Sequence, residues 1–406
     1  MKMKNVHRNI KLLSWFNFFL SFRFYSPILI IYFVRTTGSY ALGASIFSII
    51  MLSSALLEIP TGVFSDLIGR KKTLVLGAFS TLMSVVFYAI GGSYFVLAVG
   101  ASLEGLARAF YSGNNQSLLH DTLKESNNEK EYAEFFGKTS SAEQIGLAIT
   151  AITGGVIAYW SFVWVMWLSV IPAVVGVIIS LRVIEPKVLK SNSGNIYSHL
   201  GEAFRGFKRN KKLKMLSLSS IIGYGQGEAG FQFRSAFVET LWPVWAVGVA
   251  QALSNIGATL SFYFGGKLIK KFGALKLLIG GKIYALISNI VALIFPCAFS
   301  PAIMSSNSLF FGSGTTSKSA LMQKEYTNEQ RSTMASLNSL GGSMAFAIIS
   351  FLLGLTADFL SPAKALLALQ PLAVISLYIL WRVFKKENRP AMIQTVKMAV
   401  NDKQAK

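Results

Sequence analysis

Runs of about twenty apolar residues follow one another along the whole of this chain, and each is long enough to cross the hydrocarbon core of a bilayer as a helix. Lipid offers no partner to a backbone N–H or C=O, so a chain made of such runs must bond its backbone within each segment. The runs are read at 12–34, 41–64, 73–91, 94–120, 139–159, 161–183, 215–240, 243–265, 274–296, 298–317, 332–357 and 363–384. The expected fold class is therefore an all-α polytopic membrane protein of twelve transmembrane helices. The first run is too long for the apolar core of a signal peptide and lacks a small-residue cleavage site, so it is read as a retained span.

Only 14% of the 406 residues are charged, where a soluble chain carries about 25%. The net charge of +21 raises the question of nucleic acid, but its distribution answers it. Cations gather in the first eleven residues, in the loops 65–72, 121–138, 184–214, 266–273 and 318–331, and after 384. The alternate loops 35–40, 92–93, 160, 241–242, 297 and 358–362 carry Arg35 alone. That asymmetry is a topology signal. It puts both termini in the cytoplasm, with the lipid bilayer rather than nucleic acid as partner. A single cysteine, Cys297, excludes an internal disulfide, and the scattered His7, His120 and His199 form no metal-binding pattern. No phosphate loop, nucleophile motif or metal cluster is found, so neither an enzyme nor a cofactor is expected.

The stretch 58–72 reads Glu-Ile-Pro-Thr-Gly-Val-Phe-Ser-Asp-Leu-Ile-Gly-Arg-Lys-Lys. Gly62 and Gly69 allow a tight turn between two helices. Asp66 precedes a helix start, where it can hold orphan N–H groups. Arg70, Lys71 and Lys72 sit where anionic lipid favours cations. Gly266, Lys270 and Gly273 repeat the spacing of Gly62, Asp66 and Gly69 in the second half of the chain. The pattern of Gly62, Asp66, Gly69, Arg70 and Lys71 resembles the signature loop between helices 2 and 3 of the major facilitator superfamily of membrane transporters. Leu67 departs from it, since a cation usually follows the aspartate. Gly146, Gly154 and Gly155 in span 5 resemble the family's exporter motif, with Thr150 and Ala151 in place of its middle Gly-Pro.

The resemblance implies two pseudo-symmetric six-helix bundles around a central cavity lined by spans 1, 2, 4, 5, 7, 8, 10 and 11. The expected domains are an N-terminal bundle 1–185, a basic cytoplasmic linker 186–214, a C-terminal bundle 215–390 and a tail 391–406. Within the linker Ile196, Leu200, Ala203, Phe204 and Phe207 fall at helical spacing, as in an amphipathic helix on the inner leaflet. The resemblance also implies a cytoplasmic gate made by Gly62, Asp66, Gly69, Arg70, Lys71 and Asp121, in which Arg70 pairs with Asp121.

A charge inside a span costs about 2.5–3.5 kcal/mol at mid-membrane, so each one is a functional candidate. Arg23, Tyr25, Glu104, Arg108, Gln226 and Arg234 are read as substrate-cavity candidates. Glu104 and Arg108 are i,i+4 neighbours that pair, for structure or for ligand. Glu58 and Glu228 have no cation one turn away and are the proton-coupling candidates: burial should raise their pKa values, and Arg23 could approach Glu58 in one conformation. Glu143 reads as interfacial, Lys282 as snorkelling to the inner face, Asp358 and Lys364 as solvated in an outer turn, and His120 as interfacial.

The expected function is a secondary transporter of the cytoplasmic membrane. Acting as a monomer, it moves a small organic molecule by alternating access, with proton-coupled efflux ahead of proton-coupled import or lysolipid flipping. A reading of another class is a receptor or scaffold that keeps the fold; the charged loop argues against it.

Overall fold

The computed structural model describes residues 3–112, 114–125, 128, 131–186, 210–323, 325 and 331–385. The amphipathic helix expected within 186–214 and the tail 391–406 lie outside them. The described residues are helical and fill twelve spans. Spans 2 and 3 are Tyr40–Ile68 and Arg70–Ile90, spans 5 and 6 are Tyr132–Trp160 and Phe162–Arg182, and spans 7 to 9 are Lys211–Glu239, Val244–Phe272 and Ala274–Ile294. Span 11 is Arg331–Phe359 and span 12 runs Pro362–Lys385.

Span 12 is interrupted by a single turn at Leu369, and three spans are interrupted more deeply. Span 1 runs Met3–Ser21, leaves the helix, and resumes through a 3₁₀ turn at Ser26–Ile28 into Leu29–Thr37. Span 4 is Tyr94–Tyr111 followed by Asn114–Lys124. Span 10 passes from Ser300–Ser306 through a 3₁₀ turn at Asn307–Phe310 into Phe311–Gln323. Apolar patterning reads straight through such breaks, because the residues on either side are equally apolar.

The expected loops at 65–72 and 266–273 shrink to one residue each. Gly69 has φ +100° and Gly273 φ +82°, values that L side chains rarely adopt. Each glycine ends one long helix and starts the next, at matching places in the two halves. Seven spans are long and apolar enough to cross a membrane by length and hydropathy alone: 1, 2, 3, 6, 9, 11 and 12. Spans 4, 5, 7, 8 and 10 fall short because they carry glycine, serine and ionisable residues. A helix that faces a polar interior does not need an apolar surface all round.

The apolar core shows how the halves meet. At the end of the cation-poor loops one cluster joins both halves: Ile28, Phe33 and Val165 pack with Phe233, Phe346 and Leu366. At the end of the cation-rich loops the core is split. Val6, Leu13, Leu74 and Leu118 form a cluster within the first half, and Leu213, Leu275, Met334 and Leu380 form another within the second. Hydrogen bonds between the halves lie toward the joined end: Ser48 Oγ to Ala347 O (2.8 Å) and Ser350 Oγ to Ala44 O (3.3 Å). The molecule is closed at the cation-poor face and parted at the other.

Candidate functional site

Span 1 breaks at residues 22–25, deep in the first half. Arg23 stands in the break. Its backbone N–H bonds Ser21 O at 2.9 Å, and its Nε donates to Leu20 O at 2.9 Å. From there Nη1 reaches Glu104 Oε1 on span 4 at 3.0 Å. Arg108, one turn along span 4, donates to the same oxygen from Nη2 (2.8 Å) and Nε (3.3 Å). Tyr88 of span 3 donates its hydroxyl to Glu104 Oε2 at 3.0 Å. Glu104 is thus a carboxylate 3% exposed that holds two guanidinium groups. Its i,i+4 pair with Arg108 was legible in the sequence; Arg23 and Tyr88, far away in the chain, were not.

Burying three charges is costly unless their bonds are well satisfied, and here every carboxylate lone pair that points at a donor is used. One positive charge remains in excess. It shows at Arg108, whose side chain is 40% exposed although it lies mid-span. Arg108 looks into the space between the halves, because its field reaches Tyr224 of span 7, as does that of Glu228. Tyr25 is buried edge-to-face on Tyr88, with ring centroids 5.9 Å apart, within electrostatic reach of Arg23, Glu104 and Arg108.

Glu58 is half-buried and accepts from Ser112 Oγ at 3.0 Å. Glu228 is half-buried and accepts from Gln232 Nε2 at 2.9 Å. Arg23 sits on Glu104 and not near Glu58. Gln226 is half-buried two residues before Glu228. Arg234 turns away into the second half, buried between Ser254 of span 8, which accepts from its Nη2, and the face of Phe231. Lys282 does not snorkel: its Nζ donates to Ser376 Oγ of span 12 at 3.0 Å.

A sequence model of the Major Facilitator Superfamily matches residues 12–315. The chain belongs to the major facilitator superfamily. Its fold is that of solved superfamily transporters. The nucleoside transporter NupG superposes with a TM-score of 0.76 at 13% identity, over 94% of this chain and 99% of that one. A bacterial homolog of the human lysosomal transporter Spinster, in an inward-facing and unoccupied conformation, gives 0.75 at 15% identity, over 95% and 99%. Relatives by sequence include a Na(+), Li(+), K(+)/H(+) antiporter of Planococcus maritimus, 25% identical over 45% of this chain and 42% of that protein. An uncharacterized transporter of Buchnera aphidicola from Schizaphis graminum is 25% identical over 34% and 35%. The matched stretches therefore span less than half of these relatives.

The superfamily's signature loop takes a form that the sequence foretold in part. Arg70 Nε lies 3.8 Å from Asp121 Oδ2, and its Nη1 donates to Ser65 Oγ at 3.0 Å. Asp121 is shared with His120, whose Nδ1 is 3.5 Å from Oδ1. Asn114 ties the group together, accepting from Ser65 Oγ at 2.9 Å and donating to Arg70 O at 3.1 Å. Gly62 lies exposed inside the long span 2, not in a loop. Asp66 lies in the last turn of span 2, and its side chain is outside the described residues. The orphan N–H groups at the start of span 3 are held by Glu185. Its two oxygens accept from Arg70 N and Lys71 N at 2.7 Å each, an anion on a helix N-terminus. Glu185 follows span 6 by three residues. Only an acidic residue just beyond a helix end marked it, and that mark is common.

A second carboxylate plays the matching part at the closed face. Asp358, at the end of span 11, accepts from Ser39 Oγ (2.6 Å), Tyr40 N (2.6 Å) and Ala41 N (2.9 Å) at the start of span 2. It is therefore a bond between the halves and not a solvated turn. Beside it Arg35 pairs with Glu239 at 2.6 Å and lies over Phe162, 4.5 Å from the ring centroid.

Proposed function

We propose that this chain is a secondary transporter that carries a small organic molecule across the cytoplasmic membrane by alternating access, exporting it in exchange for protons. One observation carries the reading: the apolar core is joined across the halves at one face and divided at the other, around a charged centre. A fixed scaffold gains nothing from leaving half of its interface unmade. The exposed edge of Arg108, with Tyr224 and Glu228 within its electrostatic reach, supplies polar contacts for a ligand. The antiporter among its relatives supports coupled exchange. Glu58, Glu228 and Glu143 are the glutamates on cavity spans without a fixed cationic partner among the described residues, and one of them carries the proton. The working unit in this reading is one chain.

The decisive assay is accumulation of a panel of labelled organic compounds in cells with and without the protein. Export predicts lower accumulation in expressing cells, restored by an uncoupler. Raised accumulation would show import or flipping instead, and no change across a broad panel would favour a receptor or scaffold.

The parted, cation-rich face is assigned to the cytoplasm. Cys297 tests this without engineering. It is exposed between spans 9 and 10 on the opposite face. Hydrogen bonds from the Phe299 backbone and the Ser300 hydroxyl lower its thiol pKa, which enlarges the reactive thiolate fraction. An impermeant maleimide should label the protein in intact cells, and Cys297→Ser should abolish the labelling. Labelling only after lysis would reverse the orientation.

A further inference from the structure

We propose that a small polar cavity under the closed face is a ligand subsite that takes an uncharged hydroxyl or carboxamide group of the transported molecule. The proposal rests on the transport reading above and names the chemistry of one end of the substrate.

The cavity encloses about 60 Å³, room for several waters or for one small functional group. Each half supplies a wall. Ser26 of span 1 and Phe47 of span 2 come from the first half, and Phe231, Gln232, Ser235 and Gln251 of spans 7 and 8 from the second. Phe47 precedes Ser48, whose hydroxyl bonds Ala347 O across the halves, so the cavity lies next to the closure. Ser26 is there because span 1 breaks. It follows the break and is exposed, while Tyr25, Pro27 and Ile28 around it are buried. Span 5 makes room for the break: a Cβ on Gly146 would lie 2.7 Å from Phe18 O, and one on Gly154 would strike Phe24 O.

The polar wall is short of partners. The side chains of Ser26, Ser235 and Gln251 make no hydrogen bond among the described residues. Gln232 Nε2 donates to Glu228 Oε1 at 2.9 Å, which fixes the side chain and leaves its carbonyl oxygen as an acceptor. Polar groups inside a protein are nearly always bonded; these four keep donors and acceptors for what enters the cavity.

The lining also sets the charge of that group. Among the described residues no ionisable side chain lines the cavity. Glu228 and Arg234, the charges held by its lining residues, are of opposite sign. Glu228 is bonded to Gln232, and Arg234 lies 5.3 Å from the ring centroid of Phe231, with Ser254 as its hydrogen-bond acceptor. A charged group would lose its water here and find no partner of opposite sign on the wall. Carboxamides and hydroxyls both donate and accept, so a hydroxyl or carboxamide is their complement, with Phe47 and Phe231 against its carbon skeleton. A group bonded to Ser26 on one wall and Gln251 on the other ties the halves together. It therefore favours the form closed at this face over the form in which the walls part.

The test uses full-length protein purified in detergent, carrying Ser235→Cys on a Cys297→Ala background, and reads its rate of reaction with methyl methanethiosulfonate, a small neutral thiol reagent. At about 0.1 M, acetamide or ethane-1,2-diol should slow the reaction roughly threefold, the protection given by a four-atom fragment with a dissociation constant of about 50 mM. Acetate and propylammonium, similar in size but charged, should leave the rate unchanged at equal ionic strength. Adding Gln251→Leu should remove the protection. In the unaltered protein none of these solutes should change the rate at Cys297, which is exposed between spans 9 and 10. Ser26→Cys, on the opposite wall, gives the same reading if Ser235→Cys does not fold. Equal slowing by charged and uncharged solutes, slowing by a charged solute alone, protection that survives Gln251→Leu, no protection, or thiols unreactive at both positions would each overturn the subsite. Transport itself would stand, because the accumulation assay tests it without reference to this cavity. The expected protection in a protein that moves no compound would keep the site and remove the transport reading.

Discussion

Glu104→Gln should lower the thermal midpoint of the purified protein more than any other single change at the charged centre, and should abolish transport. Among the described residues Glu104 is the only acid bonded to Arg23 and Arg108, at 3.0 and 2.8 Å. Glutamine keeps the shape but leaves two guanidinium groups facing each other with no compensating charge. Removing one partner of a buried ion pair costs roughly 3–5 kcal/mol. Water reaches Arg108, which is 40% exposed, so the lower end, about 3 kcal/mol, is expected. Arg23→Ala should cost less, because Glu104 retains Arg108 and Tyr88. The check is the unfolding midpoint of wild type, Glu104→Gln, Arg23→Ala and Glu104→Gln/Arg23→Ala in one detergent. The double variant should recover part of the loss, since one of the two unpaired cations is gone. A wild-type midpoint for Glu104→Gln would show that the centre is solvated and that its pairs contribute little.

Asp358→Ala should open the closed face. The carboxylate makes three hydrogen bonds to the start of span 2, two of them to N–H groups with no helical partner of their own. Hydrogen bonds to charged groups contribute about 1.5–3 kcal/mol each, reduced here by the exposure of the site. A net loss of about 2 kcal/mol shifts the balance between closed and open forms of this face roughly thirtyfold. The shift can be read with a Gln232→Cys probe on a Cys297→Ala background. Gln232 lines a small polar cavity just beneath the closure, with Ser26, Phe47, Phe231 and Gln251. An impermeant thiol reagent applied to that face should label the probe at least tenfold faster when Asp358 is alanine. Arg35→Ala should change the rate far less, because an exposed ion pair is worth about 1 kcal/mol or less. Equal labelling rates in wild type and Asp358→Ala would mean that the joined apolar core alone keeps this face shut.

Sequence alone determined the class of the molecule. The count of spans, the division into two halves, the gathering of cations in alternate loops and the turns at Gly69 and Gly273 follow from local rules: twenty apolar residues cross a bilayer, cations collect at one face, and a positive φ calls for glycine. The pairs Glu104–Arg108 and Arg70–Asp121 were legible too, the first from helical spacing and the second from a family pattern. What only the tertiary structure decided is which distant group completes each of these. Arg23 lies on Glu104 because span 1 breaks, and apolar periodicity has no signal for a break packed on Gly146 and Gly154. Glu185 and Asp358 look like ordinary acids at helix ends; each becomes a cap only because another helix happens to start within reach of its oxygens. Glu58 and Glu228 stand half-exposed because the halves are parted beside them. A carboxylate's burial and partners are set by whatever packs around it, and in this fold those neighbours come from spans remote in the chain.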